Sequence, residues 1–203
     1  MKKPNINLLA VIVAVPVIGM TIIAPALTII KNDLNISFEN TQLILTLYFT
    51  FLAFGQILSG PFSDKYGRKP ILLLGATIYS ISAFFASLSS NIDVLLILRC
   101  FQGFGAAACL SVGRTILSDC YEIKEAAKEM SKMTAIMAVI PISCFIFGGF
   151  LAEFLGWRTN LLALGLISLI LIIAMSFLLN ETLIKKAKNI SFKTMFIVYR
   201  GLL

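Results

Sequence analysis

Histidine is absent from this chain of 203 residues, and only 13% of its residues carry charge. The first absence removes the commonest metal ligand and the usual general base at neutral pH. Four cysteines are present, Cys100, Cys109, Cys120 and Cys144, with no C-x-x-C pair among them. Thiols spaced in this way read as small apolar packing residues, so no metal site, disulfide or cofactor is expected. Paired acids, a nucleophile with its base and a nucleotide loop are all missing, and an enzyme is not expected. The formal charge is +7, but the basic residues are scattered over short segments without interleaved aromatics, which argues against a nucleic-acid partner.

What fills the space is hydrocarbon. Apolar residues make up 59% of the chain and the mean hydropathy is +0.94, a level no soluble domain needs. A helix of roughly 20 residues, rising about 1.5 Å per residue, crosses a hydrocarbon core of about 30 Å. Six runs meet that length, predicted as helices at about 8–30, 41–60, 71–88, 94–117, 133–155 and 160–179. The chain therefore reads as an all-α polytopic membrane protein with lipid as its first partner: one bundle over 1–183, then a tail over 184–203. In the tail, Phe192, Met195, Phe196, Tyr199 and Leu203 stand beside Lys193 and Arg200, the spacing of an amphipathic stretch lying on a membrane surface.

The first run follows Lys2 and Lys3 and contains Ala24-Pro25-Ala26, so it superficially imitates a cleavable signal. It is too long for that, and it is read as the first span. Lys and Arg cluster at the amino terminus, around Gly60, after Ser118 and in the tail, while the opposite side holds only Lys31 and Arg158. By the positive-inside rule both termini are expected in the cytoplasm, and Trp157, the single tryptophan, is expected as an anchor at the outer interface. The charged stretch Ser118 to Lys132 suits a short surface helix with Glu125 and Lys128, or Glu129 and Lys132, paired at i,i+3.

Between the second and third spans lies Gly60-Pro-Phe-Ser-Asp-Lys-Tyr-Gly-Arg-Lys-Pro70, read as a short polar turn. Gly60 and Gly67 allow a tight reversal, and Pro61 and Pro70 interrupt a helical ladder. Asp64 is the anomaly, because a carboxylate at a helix carboxyl end opposes the macrodipole. Compensation is expected from Lys65, Arg68 and Lys69, from Arg114 at the end of a later helix, or from a helix amino end elsewhere. The plainer reading is a solvated basic loop that sets orientation.

Arg99 is the costliest residue, about five residues inside the fourth span, where a guanidinium costs up to ~3 kcal/mol on insertion scales. It must face a polar cavity or a partner, or snorkel to the headgroups. Tyr48 is at a similar depth, Thr21 lies deeper on a first span that has no acid, and Glu153 is near the outer end of the fifth span. Glu153 is the one carboxylate that could bind a proton within the membrane, against the plainer reading of an interfacial glutamate. Gly103 and Gly105, with neighbouring alanines, form a small-residue face suited to close helix packing.

Gly60, Asp64, Lys65, Gly67, Arg68 and Lys69 fill every fixed position of G-x-x-x-D-[RK]-x-G-[RK]-[RK], and the chain thereby resembles the major facilitator transporters. That resemblance implies a cytoplasmic latch whose aspartate pairs with basic residues and with a helix amino end in a second half of the protein. Arg99, Gln102, Gly103, Gly105, Ala106 and Ala107 also match R-x-x-Q-G-x-G-A-A, the fourth-helix pattern of proton-linked drug antiporters in that superfamily, which implies a role for Arg99 in proton coupling. Gly148-Gly149 matches only the end of the fifth-helix antiporter pattern, whose Gly-Pro falls at Cys144 and Phe145. The stretch Pro141 to Arg158 with Glu181-Thr182-Leu183 looks most like the bicyclomycin-resistance subgroup, which usually carries an acid in helix one where Thr21 stands here.

The resemblance implies one half of a major facilitator fold, built of two inverted three-helix repeats. It further implies proton-coupled efflux of drugs or other small amphipathic compounds across a bacterial-style inner membrane, with a separately encoded second half or a homodimer completing the transporter. A non-transporting fragment or interaction subunit, and an importer of a small solute, remain open as alternatives.

Overall fold

The computed structural model describes residues 4–183, so the tail over 184–203 lies outside the described residues. All regular structure within them is helical, and six segments are long and apolar enough to cross a membrane.

The first segment is broken. Helix α1 (Ile6–Thr21) gives way to a 3-10 turn at Ala24–Ala26 and then to α2 (Leu27–Asp33). Pro25 is the second residue of that turn, where its missing N–H still costs little. The break leaves carbonyls near the end of α1 without partners in their own helix. The other five segments are α3 (Phe38–Tyr66), α4 (Arg68–Ser87), α5 (Ile92–Cys120), α6 (Ile123–Leu155) and α7 (Arg158–Leu178). Ser37 caps α3 by accepting from the Asn40 amide at 3.2 Å, and Asn91 caps α5 through the Asp93 amide at 2.8 Å.

Several helices outrun their apolar stretches, because helical hydrogen bonding does not stop where polarity begins. The Gly60–Pro70 turn is the clearest correction: α3 passes through Gly60 and Pro61 to Tyr66, and the reversal is made by Gly67 alone. Gly67 has φ +111°, a backbone conformation L side chains rarely adopt, whereas a Cβ on Gly60 would meet nothing within 4 Å. Likewise the charged stretch after Ser118 is no separate helix. Asp119 and Cys120 end α5, and the part from Ile123 forms the first turns of α6, where Lys132 and Glu129 pair at 2.8 Å.

Helix α5 is central, packing on α1, α3 and α4, while α7 covers α4 and α6 lies along α1. At several contacts between the first three membrane segments and the last three, glycine meets backbone. A Cβ on Gly103 of α5 would strike the Tyr48 carbonyl of α3, and one on Gly148 of α6 would strike the Ile22 carbonyl beyond α1. Gly105 meets the Gly75 carbonyl in the same way, at 2.5 Å from its would-be Cβ, but Gly149 is only in ordinary contact with Pro25 at 3.7 Å. On the outer faces, Thr46, Thr50, Thr77 and Ser176 donate to carbonyls four residues back, which satisfies their hydroxyls without water.

Trp157 is no surface anchor. It is 2% exposed, its Nε1 donates to Asp33 Oδ2 at 3.0 Å, and Arg158 lies over its ring at 4.2 Å. Arg158 in turn donates to Asp33 at 2.7 Å and to the Ser89 carbonyl at 3.0 Å. The three connections at this end of the bundle are thus tied at one point, and the indole N–H has a protein acceptor in place of a headgroup.

Candidate functional site: a buried arginine and a one-residue latch

Arg99 is fully buried, and among the described residues no carboxylate touches it. Nη1 donates to Gln102 Oε1 at 2.6 Å, Nη1 and Nη2 each to the Gly19 carbonyl at 3.3 Å, and Nε to the Ile44 carbonyl at 3.4 Å. The guanidinium lies 4.2 Å from the Tyr48 ring centre, and the Tyr48 hydroxyl donates to the Pro16 carbonyl at 2.9 Å. The cation is offset by a helix end: Gly19 lies in the last turn of α1, where orphan carbonyls carry partial negative charge. A planar fork can reach carbonyls on α1 and α3 at once, which a lysine cannot.

Of the residues singled out near Arg99, the structure gathers Tyr48 and Gln102 and leaves two aside. The Thr21 hydroxyl turns back onto the Val17 carbonyl at 2.8 Å, and Glu153 is exposed on α6. Two members of the cluster carried no polar signal in the sequence. Gly19 supplies an acceptor through its backbone, and a Cβ there would lie 2.5 Å from the Tyr79 hydroxyl and 2.7 Å from that of Tyr48. Tyr79 arrives from α4, a helix whose other polar residues gave no reason to point it inward. Its hydroxyl and the Gln102 amide nitrogen are both buried without a hydrogen-bond partner among the described residues.

The second site is the junction of α3 and α4. Arg68 is 7% exposed and holds Asp64 at 2.6 Å, Asp119 at 2.9 Å and the Ser63 hydroxyl at 2.5 Å. Asp64 therefore finds its compensation four residues on, across Gly67. Among the described residues no ion pair joins it to Arg114, which stands exposed on α5; the α5 residue that enters is the acid Asp119. Lys65 lies over the Tyr66 ring at 5.0 Å, and Lys69 reaches the Ser176 carbonyl at 2.8 Å.

Glu181, beyond α7, closes the junction. Its carboxylate accepts from the amides of Arg68 at 2.9 Å and Lys69 at 3.3 Å, and from Thr182 and Leu183 at 2.9 and 3.0 Å. An acid at the amino end of α4 is favoured by the exposed N–H groups there. Burial pushes this carboxyl up, but the four backbone donors outweigh it and hold its pKa below the ordinary glutamate value. The sequence offered Glu181 only as part of a subgroup likeness; its partner lies 113 residues away.

Comparison with known proteins agrees with this architecture. A bicyclomycin resistance protein homolog of Haemophilus influenzae is 30% identical over 174 residues, covering 86% of this chain and 44% of that protein. A chloramphenicol resistance protein of Pseudomonas aeruginosa is 33% identical over 73% of this chain and 36% of its own, and multidrug resistance protein D of Escherichia coli is 29% identical over 77% and 41%. The chain thus spans less than half the length of these curated relatives. A solved bacterial homolog of the human lysosomal transporter Spinster, in an inward-facing and unoccupied conformation, superposes with a TM-score of 0.78 at 20% identity, over 97% of this chain and 48% of that one. The family model for the Major Facilitator Superfamily matches residues 9–197. With six membrane-crossing helices in the arrangement of such a transporter's half, this chain belongs to the Major Facilitator Superfamily.

Proposed function

We propose that the chain works as one six-helix half of a proton-coupled exporter of drugs or other small amphipathic compounds, in a bacterial inner membrane with both termini in the cytoplasm. The observation that carries the reading is the Arg99 cluster: a guanidinium inside a R-x-x-Q-G-x-G-A-A segment, held by helix-end carbonyls and with no carboxylate partner among the described residues. A buried cation balanced only by dipoles responds strongly to a proton or a charge arriving nearby, because little local charge screens it. The relatives named for resistance to bicyclomycin, chloramphenicol and multiple drugs support export.

In this reading Arg99, Tyr48 and Gln102 belong to the proton or substrate pathway, with Thr21 and Glu153 at its margins. Asp64, Arg68 and Asp119, hinged at Gly67 and flanked by Lys65 and Lys69, form the latch that engages a second six-helix body. Because the relatives are more than twice as long as the matched stretch, transport in this reading requires a second six-helix body. The test is dye efflux from energised vesicles carrying this chain with a candidate second half. Efflux that collapses with the proton gradient and on Arg99→Ala supports the proposal, and solute uptake in the same vesicles refutes it. A stably inserted chain that supports no flux with any partner would instead be a non-transporting interaction subunit.

A further inference from the structure

A groove of about 200 Å³ runs along α3, α4 and α5, and no side chain among the described residues fills it. Its walls are Leu58 and Phe62 on one side and Ile71, Leu74 and Ile78 on the other. Gly55, Ser59, Gly75 and Ala108 carve its floor, and Gly55 and Gly75 sit so close to Ala107 and Ala108 of α5 that a Cβ on either would collide. On α3 and on α4 the lining recurs at i, i+3, i+4 and i+7, so the groove follows each helix for about two turns, roughly 10 Å. The lining is almost wholly hydrocarbon.

Depth decides what kind of molecule belongs there. Leu58 lies about two helical turns, roughly 10 Å, from Lys65, so the groove sits in hydrocarbon just beneath the basic side of the protein. At its polar end a chain of contacts leads to the surface: Phe62 stacks with Tyr66 at 6.1 Å, and the Lys65 ammonium lies over Tyr66 at 5.0 Å. Arg114, one turn beyond the Ser111 that bonds Ser59 at 2.5 Å, stands exposed on the neighbouring helix. Neither Lys65 nor Arg114 has an ion pair among the described residues, although Asp64 and Asp119 lie nearby, because Arg68 engages both acids. An apolar slot inside the bilayer, followed toward the basic side by an aromatic and by two cations that form no ion pair among the described residues, is complementary to one molecule class.

From this we infer that the groove holds an acyl chain of an anionic glycerophospholipid from the leaflet on the basic side, with its phosphate between Lys65 and Arg114. The site is independent of whether the protein transports anything. The bound lipid wedges α3 and α4 apart above α5, beside the junction at Gly67.

Native mass spectrometry of the full chain in detergent, with phosphatidylglycerol or phosphatidylcholine added, tests the assignment. One phosphatidylglycerol retained in preference to phosphatidylcholine is expected. Retention falls about fivefold for each of Lys65→Gln and Arg114→Gln. Leu58→Trp, which fills the groove, abolishes it, and Ile173→Trp, a lipid-facing substitution elsewhere, leaves it unchanged; circular dichroism checks that each variant is folded. Equal retention of both lipids, or undiminished retention by a folded Leu58→Trp variant, overturns the proposal. So does a dimer that forms in place of the lipid complex and is lost on Leu58→Trp, since the groove would then take a second copy of the chain.

Discussion

Arg99 on α5 donates from two nitrogens to the Gly19 carbonyl at 3.3 Å, in the last turn of the broken first helix. One side chain thereby fixes the place where α1 stops. Replacing it with alanine strands that carbonyl, the Ile44 carbonyl and the Gln102 side chain inside the bundle. Arg99→Ala is expected to destabilise the fold by about 3 kcal/mol, with Arg99→Lys intermediate because it keeps the charge but loses the fork. Thermal unfolding in detergent measures both. A lysine variant as stable as the unsubstituted protein would show that charge alone matters.

The glycines separate by what surrounds them. Gly103→Ala and Gly148→Ala force a Cβ into the Tyr48 and Ile22 carbonyls, and each is expected to cost about 1–3 kcal/mol. Gly60→Ala places its methyl in open space within a helix, so it is expected to be neutral or to stabilise by up to ~1 kcal/mol. Melting temperatures of the three variants check the order, which reverses if Gly60 is the turn residue.

Acid should loosen the α3–α4 junction. The folded pKa of Glu181 lies below its ordinary 4.5, so its contribution is fully present above that value and is lost as pH falls through the depressed folded pKa. Glu181→Gln is expected to flatten the fall of stability with pH below about 4.5 while leaving the rest of the profile in place. Unfolding curves recorded on either side of that pH compare the two proteins.

Trp157 reports on the opposite end of the molecule. Being 2% exposed, the single indole is expected to emit at short wavelength and to resist quenching by iodide and by bromolipid. Asp33→Asn removes the carboxylate that accepts from both Trp157 and Arg158, and should raise quenching by loosening this tie. Strong bromolipid quenching of the unsubstituted protein would return Trp157 to the interface.

Span number and the two family motifs were legible because hydropathy is summed over many residues and tolerates local error. The ends of helices were less so. Polarity marked Gly60 to Pro70 as a turn, yet backbone hydrogen bonds carried α3 six residues further, to Tyr66. Arg99 could be picked out from the cost of burying its side chain, and Arg68 from its place in the loop motif beside Asp64. Site residues that act through backbone or through distance could not: Gly19 offers only a carbonyl, Asp119 resembles any surface acid, and Glu181 meets Arg68 only once α7 has returned beside α4. Arg114 shows the converse error, since a charge of the right sign at the right depth still points where its helix face dictates.

Between α3 and α4 the chain has no slack. Gly67 alone separates the two helices, its N–H still bonded to the Ser63 carbonyl at 3.0 Å, and the next residue, Arg68, is pinned by Asp64 through its side chain and by Glu181 through its amide. The two rods therefore pivot like arms of a crank about a pair of torsions, so any tilt imposed on one near the membrane surface must emerge as tilt of the other, with no flexible strand to absorb it.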